Sequence, residues 1–281
     1  MLKFNKDLAA VHAYLCADGY VIRNPKGKSK YYYIGFRNMN TFLLDDFERR
    51  FFNYFKIKPR RMKDGRSIVQ NKNVYMQLTE KHNYYSKDWN FPNLSRENLK
   101  VWLRAYFDCD GWVANRKAVD RHIGLDSINY KGLMNIKWSL IKWGIKSRFK
   151  DRTQRNIYRL LIYGKDNLIR FRNNINFNHP TKKDTLKKAI ESYVEYKWQF
   201  NNKPDIIPFL RNRVKESKKK RIRICSKYAE NLEFMSRFLD EEYMIESKIY
   251  GPLRNGINTK FYELCIQKKE SVERLREAIK S

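Results

Sequence analysis

Two aspartates, Asp18 and Asp110, each stand directly before a glycine at the end of a helix-like run: NKDLAAVHAYLCADGY over residues 5–20 and SRENLKVWLRAYFDCDGW over residues 95–112. A helix C-terminus is a poor place for a carboxylate, because the unpaired carbonyls of the last turn already carry partial negative charge. Two such ends side by side compound the repulsion, and a divalent cation is the natural group to relieve it. Paired carboxylates around one cation suit metal-assisted hydrolysis, in which the metal lowers the pKa of a bound water. Alone, either acid would more often be an ordinary helix terminator. Their recurrence 92 residues apart in matched contexts favours a shared metal site.

The runs themselves supply what such a site needs. Ala9, Ala13 and Ala17 share one face of the first, and Val101, Ala105 and Cys109 share the equivalent face of the second. Small residues let two helices approach closely. Leu8, Val11 and Leu15, with Leu99, Leu103 and Tyr106, remain to pack against other elements. Asn5 and Ser95 are the expected N-caps, and the glycines suit a left-handed residue that ends a helix.

Read as AYLCADG and AYFDCDG, the two ends resemble the motif of the LAGLIDADG homing endonucleases. The final acid and glycine match in both copies, and alanine stands at the first small position in both. Cys16 departs from the family at the earlier acid, which the second copy keeps as Asp108, and Val11 and His12 replace the opening residues. The resemblance implies Mg²⁺ held by Asp18 and Asp110 with the main-chain carbonyls of Ala17 and Cys109, between the scissile phosphates of double-stranded DNA. It also implies a pseudo-twofold monomer that reads a long target and cuts across the minor groove. Asp108 is expected to be a structural hydrogen-bonding residue. In the family a lysine near the end of each unit's last strand lies close to the scissile phosphates. Aligning VYMQLTEK, YRLLIYGK and FYELCIQK carries this over to Lys81 and Lys165 as catalytic candidates, while Lys268 has no partner acid. The family's polar residue at the end of the second strand falls on Arg37 and Asp126, to within a residue or two, and Asp126 is a poor phosphate ligand. On the same scaffold the alternatives are an RNA maturase that binds intron RNA and a DNA-binding regulator that does not cut.

Around these helices the expected fold class is α+β. Two αββαββα units, residues 1–92 and 93–203, pair through the motif helices and form a saddle-shaped antiparallel sheet surface; a basic linker and a smaller βαββα unit, expected to bind DNA, occupy residues 204–281. In the first unit, strands are expected over residues 20–24, 30–37, 58–63 and 74–79, and a helix over 41–55. In the second, strands fall at 112–114, 122–127, 145–152 and 157–163, with helices at 130–143, 167–174 and 178–196. Period-two alternation puts Lys146, Arg148, Lys150 and Arg152 on one strand face. With Tyr31, Tyr33, Arg37, Arg61 and Lys63 of the first unit, these are the expected DNA contacts. The C-terminal unit repeats strand, helix, strand, strand, helix without an acid-glycine end, so no third active site is expected. The basic stretch at 211–223 before it is either a phosphate contact or a solvated connector.

Composition points the same way. Sixty Lys and Arg against thirty Asp and Glu leave a net charge of +30, which fits a polyanionic partner. No run of about 18 apolar residues suggests a membrane span, and the N-terminus has no signal-peptide core. Cysteines at 16, 109, 225 and 265 and histidines at 12, 82, 122 and 179 have no zinc-ligand spacing, so the expectation is a reduced, intracellular protein of cytoplasm or organelle matrix.

Overall fold

The structure is a computed structural model that describes residues 2–24, 26, 31–116, 120–152, 156–193, 206–211, 214, 221–255 and 260–280. The chain divides into two compact units, residues 1–193 and 194–281. In the first, α1 (Lys6–Ala17), β1 (Gly19–Asn24), β2 (Tyr31–Arg37), α2 (Thr41–Phe55), β3 (Arg60–Arg61), β4 (Arg66–Gln70) and α3 (Lys72–Thr79) make one half. The same order follows in α4 (Arg96–Asp110), β5 (Gly111–Arg116), β6 (Asp120–Ser127), α5 (Tyr130–Ile141), β7 (Arg148–Arg152), β8 (Ile157–Tyr163) and α6 (Lys165–Asn174), to which α7 (Pro180–Glu191) is added. Each half carries a four-stranded sheet, ordered β1-β2-β4-β3 and β5-β6-β8-β7, and every pairing is antiparallel. The fold is therefore α+β, as the sequence suggests.

Capping starts both motif helices where expected. The Asn5 side chain accepts the Leu8 amide at 2.9 Å, and Ser95 Oγ accepts the Asn98 amide at 3.4 Å. The helices then run parallel and in register. At their beginnings Asn98 Nδ2 donates to the Phe4 carbonyl (3.0 Å), and midway Trp102 Nε1 donates to His12 Nδ1 (3.1 Å). At their ends the Cys109 side chain hydrogen-bonds Asp18. Ala9, Ala13 and Ala105 are buried, and one hydrophobic core runs through both halves, from Leu8 and Phe47 to Leu140 and Phe171.

The two motif glycines serve close approach, since neither has a positive φ. A Cβ on Gly19 would stand 2.4 Å from Leu15 Cα, and one on Gly111 would stand 2.6 Å from the Phe107 carbonyl oxygen. Each strand thus folds back across the last turn of its helix, and Gly111 is extended (φ −80°, ψ 155°) where a left-handed residue was expected. A second correction concerns residues 74–79, expected as a strand and found in α3. Asn71 caps this helix by accepting the Val74 amide (3.0 Å), and Val74, Tyr75 and Leu78 are buried at helical spacing. The last strand of the first half is instead β4, RSIVQ, whose buried Ser67 and Val69 alternate with more accessible neighbours.

The second unit contains α8 (Ile206–Arg211), β9 (Ile222–Ser226), α9 (Ala229–Tyr243), β10 (Lys248–Arg254), β11 (Lys260–Ile266) and α10 (Lys269–Lys280). Its sheet order, β10-β11-β9, repeats β7-β8-β6 of the first unit, with no motif helix among the described residues. Leu232, Met235, Leu264 and Leu275 fill its own core. Most of the basic stretch at 211–223 lies outside the described residues. Among the described residues no helix is long and apolar enough to cross a membrane.

Gly111→Ala forces a methyl group into the α4 backbone and is expected to destabilise the first unit by about 1–3 kcal/mol, the usual cost of overpacking. Urea unfolding measures this; a midpoint equal to wild type would show that the strand need not cross the helix so closely.

Candidate active site at the paired helix ends

Parallel packing of α1 and α4 delivers Asp18 and Asp110 to the same end of the seam. Asn38, just past β2, donates Nδ2 to Asp18 Oδ2 (2.8 Å), and the Arg37 amide donates to the Asp18 carbonyl (3.1 Å). Tyr106, one turn before Asp110, hydrogen-bonds its carboxyl and is itself bonded to Ser127. Burial pushes the Asp110 carboxyl up to about 7, and the neighbouring Asp18 carboxylate adds to the push. Asp18 is raised as well, chiefly by burial, against hydrogen bonds from Asn38 and Cys109 and the charge of Lys182. Asp110 therefore lies within reach of the Asp18 charge, as a shared site requires.

Around this pair lies a clasp between α4 and α7. Asp108 accepts the amides of Asn178 (3.0 and 3.1 Å) and His179 (3.0 Å), so it seats the positive N-terminus of α7. In return Lys182, in the first turn of α7, donates Nζ to the carbonyls of Phe107 (3.4 Å), Asp108 (2.6 Å) and Cys109 (3.0 Å) at the negative end of α4. Asp108 is thus the structural residue it was expected to be. Burial lowers the Lys182 pKa, while Cys109, Asp108, Asp110 and Asp18 hold it up. Burial also raises Asp108 to about 7, against the two amides and Lys182.

The donor set suits a hard divalent cation. Asp18, Asp110 and the main-chain carbonyls of Ala17 and Cys109, the ligands expected from the sequence, would offer oxygen donors alone and would leave coordination positions for water or phosphate. Among the described residues no group of three or more His, Cys, Asp or Glu side chains forms a self-sufficient metal site.

The open face of each sheet begins beside the acids. Tyr20 lies over Gly35, where a Cβ would sit 2.1 Å from its ring, and Arg66 hydrogen-bonds the Tyr20 side chain. In the second half Trp112 lies over Gly124, again 2.1 Å from an added Cβ, and the Arg159 guanidinium stands 4.8 Å from the Trp112 ring. Tyr31 and Tyr33 stack with ring centroids 4.9 Å apart on the first face, and Arg37 is exposed at the end of the same strand. On β7, Arg148 and Lys150 are exposed on the face away from core-packed Phe149; Lys146 is exposed just before the strand, and the Arg152 side chain lies outside the described residues.

Several expected site residues fall elsewhere. Arg61 pairs with buried Ser67, so it faces α2, where it bonds Asp45 (2.6 Å) and Glu48 (2.8 Å); Arg60, opposite Ile68, lies on the open face instead. Lys63 is exposed in the turn after β3. Lys81 follows α3 and not a strand, and its neighbour His82 packs on His12 and Phe4, beside the first half of α1. By position, the residue matching Lys165 is Lys72, since each opens the helix after its half's last strand. Those strands start beside the acids and run away from them: β4 from Arg37 to Tyr33, β8 from Ser127 to His122. At about 3.4 Å per residue, Lys72 and Lys165 stand roughly 10 Å or more along the sheet from the acid end. The cation beside the acids is Lys182, which carries no sequence signal beyond its place after a helix-starting proline. Asn38, one residue past Arg37, is the polar partner in the first half. Its counterpart by register is Ser127, while Asp126 is locked to Arg159 through two bonds (2.6 and 2.5 Å).

Residues 97–176 match a LAGLIDADG-like domain. The chain is 28% identical over 126 residues to the replication factor C small subunit of Thermococcus kodakarensis, and 27% identical over 201 residues to that of Methanocaldococcus jannaschii. These matches cover 44% and 67% of this chain but only 14% and 10% of those proteins. Among solved structures, one from a study of mesophilic variants of the homing endonuclease I-DmoI aligns over 65% of this chain and 99% of its own, with 16% identity and a TM-score of 0.47. The homing endonuclease I-WcaI bound to its DNA recognition sequence aligns over 66% and 88%, with 16% identity and a TM-score of 0.44. Full-length DUF199/WhiA from Thermatoga maritima aligns over 99% and 93%, with 13% identity and a TM-score of 0.48.

The raised acids set a pH dependence. A carboxyl whose folded pKa exceeds its unfolded value lets the folded state hold more protons, so its contribution to stability falls from about pH 4 and is lost above about pH 7. Without divalent cations, the melting temperature of Asp110→Asn should therefore rise relative to wild type between pH 5 and pH 8. A difference that does not change with pH would contradict the burial of this charge.

Proposed function

We propose that this chain, whose residues 97–176 are a LAGLIDADG-like domain, is an endonuclease that hydrolyses both strands of duplex DNA with a divalent cation, Mg²⁺ by ligand chemistry, held between Asp18 and Asp110. The observation that carries this reading is the meeting of two mutually repelling acids at one end of the helix seam, where the open sheet faces begin. A pure binder gains nothing from two carboxylates aimed at a phosphate backbone. When bound, the cation would lower the pKa of a water and stabilise the departing oxygen.

The chain's own residues supply position and charge. Asn38 and Tyr106 fix the two carboxylates so that neither must reorganise when a phosphate arrives. Arg37, Arg60, Arg148 and Lys150 offer cations to the phosphate backbone, and the stacked pair Tyr31 and Tyr33 gives one face a flat apolar patch. Lys182 neutralises the α4 carbonyls and tempers the charge of both acids. The +30 net charge supports nonspecific capture of DNA before a site is found. A single chain bearing both acids supports action as a monomer.

A duplex ligand can be selected from a random DNA library by wild-type protein without metal, then incubated with Mg²⁺. Asp18→Asn or Asp110→Asn is expected to abolish double-strand cleavage, with binding retained; full cleavage by either variant would overturn the proposal. Replacing Arg148 and Lys150 together with alanine should lower the slope of log affinity against log salt by about 2, at roughly 0.9 per phosphate contact. An unchanged slope would remove β7 from the DNA interface.

A further inference from the structure

We infer that Lys182 is a resident cation of the acid pair, occupying the carbonyl end of α4 so that the two halves contribute unequally to divalent-ion binding. This rests on the reading of Asp18 and Asp110 as metal ligands. Its ammonium is held by three main-chain carbonyls, including that of Cys109 at 3.0 Å, one of the oxygens available to a cation at the seam. It also lies within electrostatic reach of both carboxylates. A divalent ion sharing the Cys109 carbonyl would stand close to a fixed positive charge in a partly desolvated place, where repulsion is poorly screened. The Ala17 carbonyl, at the end of α1, is therefore the preferred main-chain donor.

The inequality is written into the two motifs. Asp108 seats the N-terminus of α7 and thereby brings Lys182 onto α4. Two residues before the other acid stands Cys16, whose thiol contacts His12 Nδ1 (3.4 Å) inside the core and cannot seat a helix end in that way. Lys182 thus supplies countercharge to the pair before any ion arrives, and an ion must bind against it. The seam holds together unloaded, and the ion binds more weakly than two carboxylates alone would allow.

The test is Mn²⁺ titration of DNA-free, full-length protein by calorimetry, with Asp110→Asn to locate the site. Lys182→Met is expected to bind Mn²⁺ about tenfold more tightly than wild type, equivalent to about 1.4 kcal/mol. Lys182→Gln, which keeps a donor for the carbonyls but removes the charge, should tighten binding similarly and guards against loss of folding in the Met variant. Lys183→Met, at the exposed neighbouring position, should leave affinity unchanged. A Lys182 variant that lacks only a helix cap would melt lower without gaining affinity. Equal affinity in wild type and both Lys182 variants, with loss in Asp110→Asn, overturns this inference alone. A gain in the Met variant but not the Gln variant overturns the charge argument. No binding to the acid pair in wild type or either Lys182 variant overturns the metal reading and this inference together.

Discussion

Two helices packed in parallel must end together, and that puts two negative helix ends and two carboxylates in one place. The rest of the first unit is arranged around this repulsion. Small side chains let the helices close, with Ala9, Ala13 and Ala105 buried, and hydrogen bonds from Asn98 to Phe4 and from Trp102 to His12 keep them in register. Gly19 and Gly111 then let each chain fold back over its own last turn into a strand. Without those glycines the strands could not start beside the acids, and the open sheet faces would not border the carboxylates.

The protein answers the repulsion differently in its two halves. In the second, α7 sets its positive N-terminus on Asp108 and its Lys182 on the last carbonyls of α4, so opposite helix ends face each other. In the first, the strand amide of Arg37 and the side chain of Asn38 hold Asp18. Charge is thus supplied on one side and polar hydrogen bonding on the other. The difference traces to one residue in each motif, Asp108 against Cys16.

Much of the fold was legible because its signals are local. The caps Asn5 and Ser95, the acid-glycine ends and the helix over Thr41–Phe55 all follow from residues within a few positions of each other. Misreadings arose where a short apolar stretch has two periods open to it. Val74, Tyr75 and Thr79 have β-prone side chains, yet the Asn71 cap makes their segment a helix, which displaces Lys81 from a strand end. Arg61 shows how one residue of register moves a cation across a sheet: its neighbour Arg60 is on the open face, and Arg61 is tied to Asp45 and Glu48 beneath. Asn38 falls one position past Arg37, inside the one or two residues to which the polar position was placed. Lys182 could not be found locally, since its partners Phe107, Asp108 and Cys109 lie more than seventy residues earlier in the chain.

The central claim is that the two acids act as one site. Crystals of the protein soaked in Mn²⁺ and measured at a wavelength where manganese scatters anomalously test it most directly. One anomalous peak within coordination distance of both the Asp18 and Asp110 carboxylates is the predicted result. A peak bound by one of them alone, or peaks only at surface carboxylates away from the seam, would contradict it.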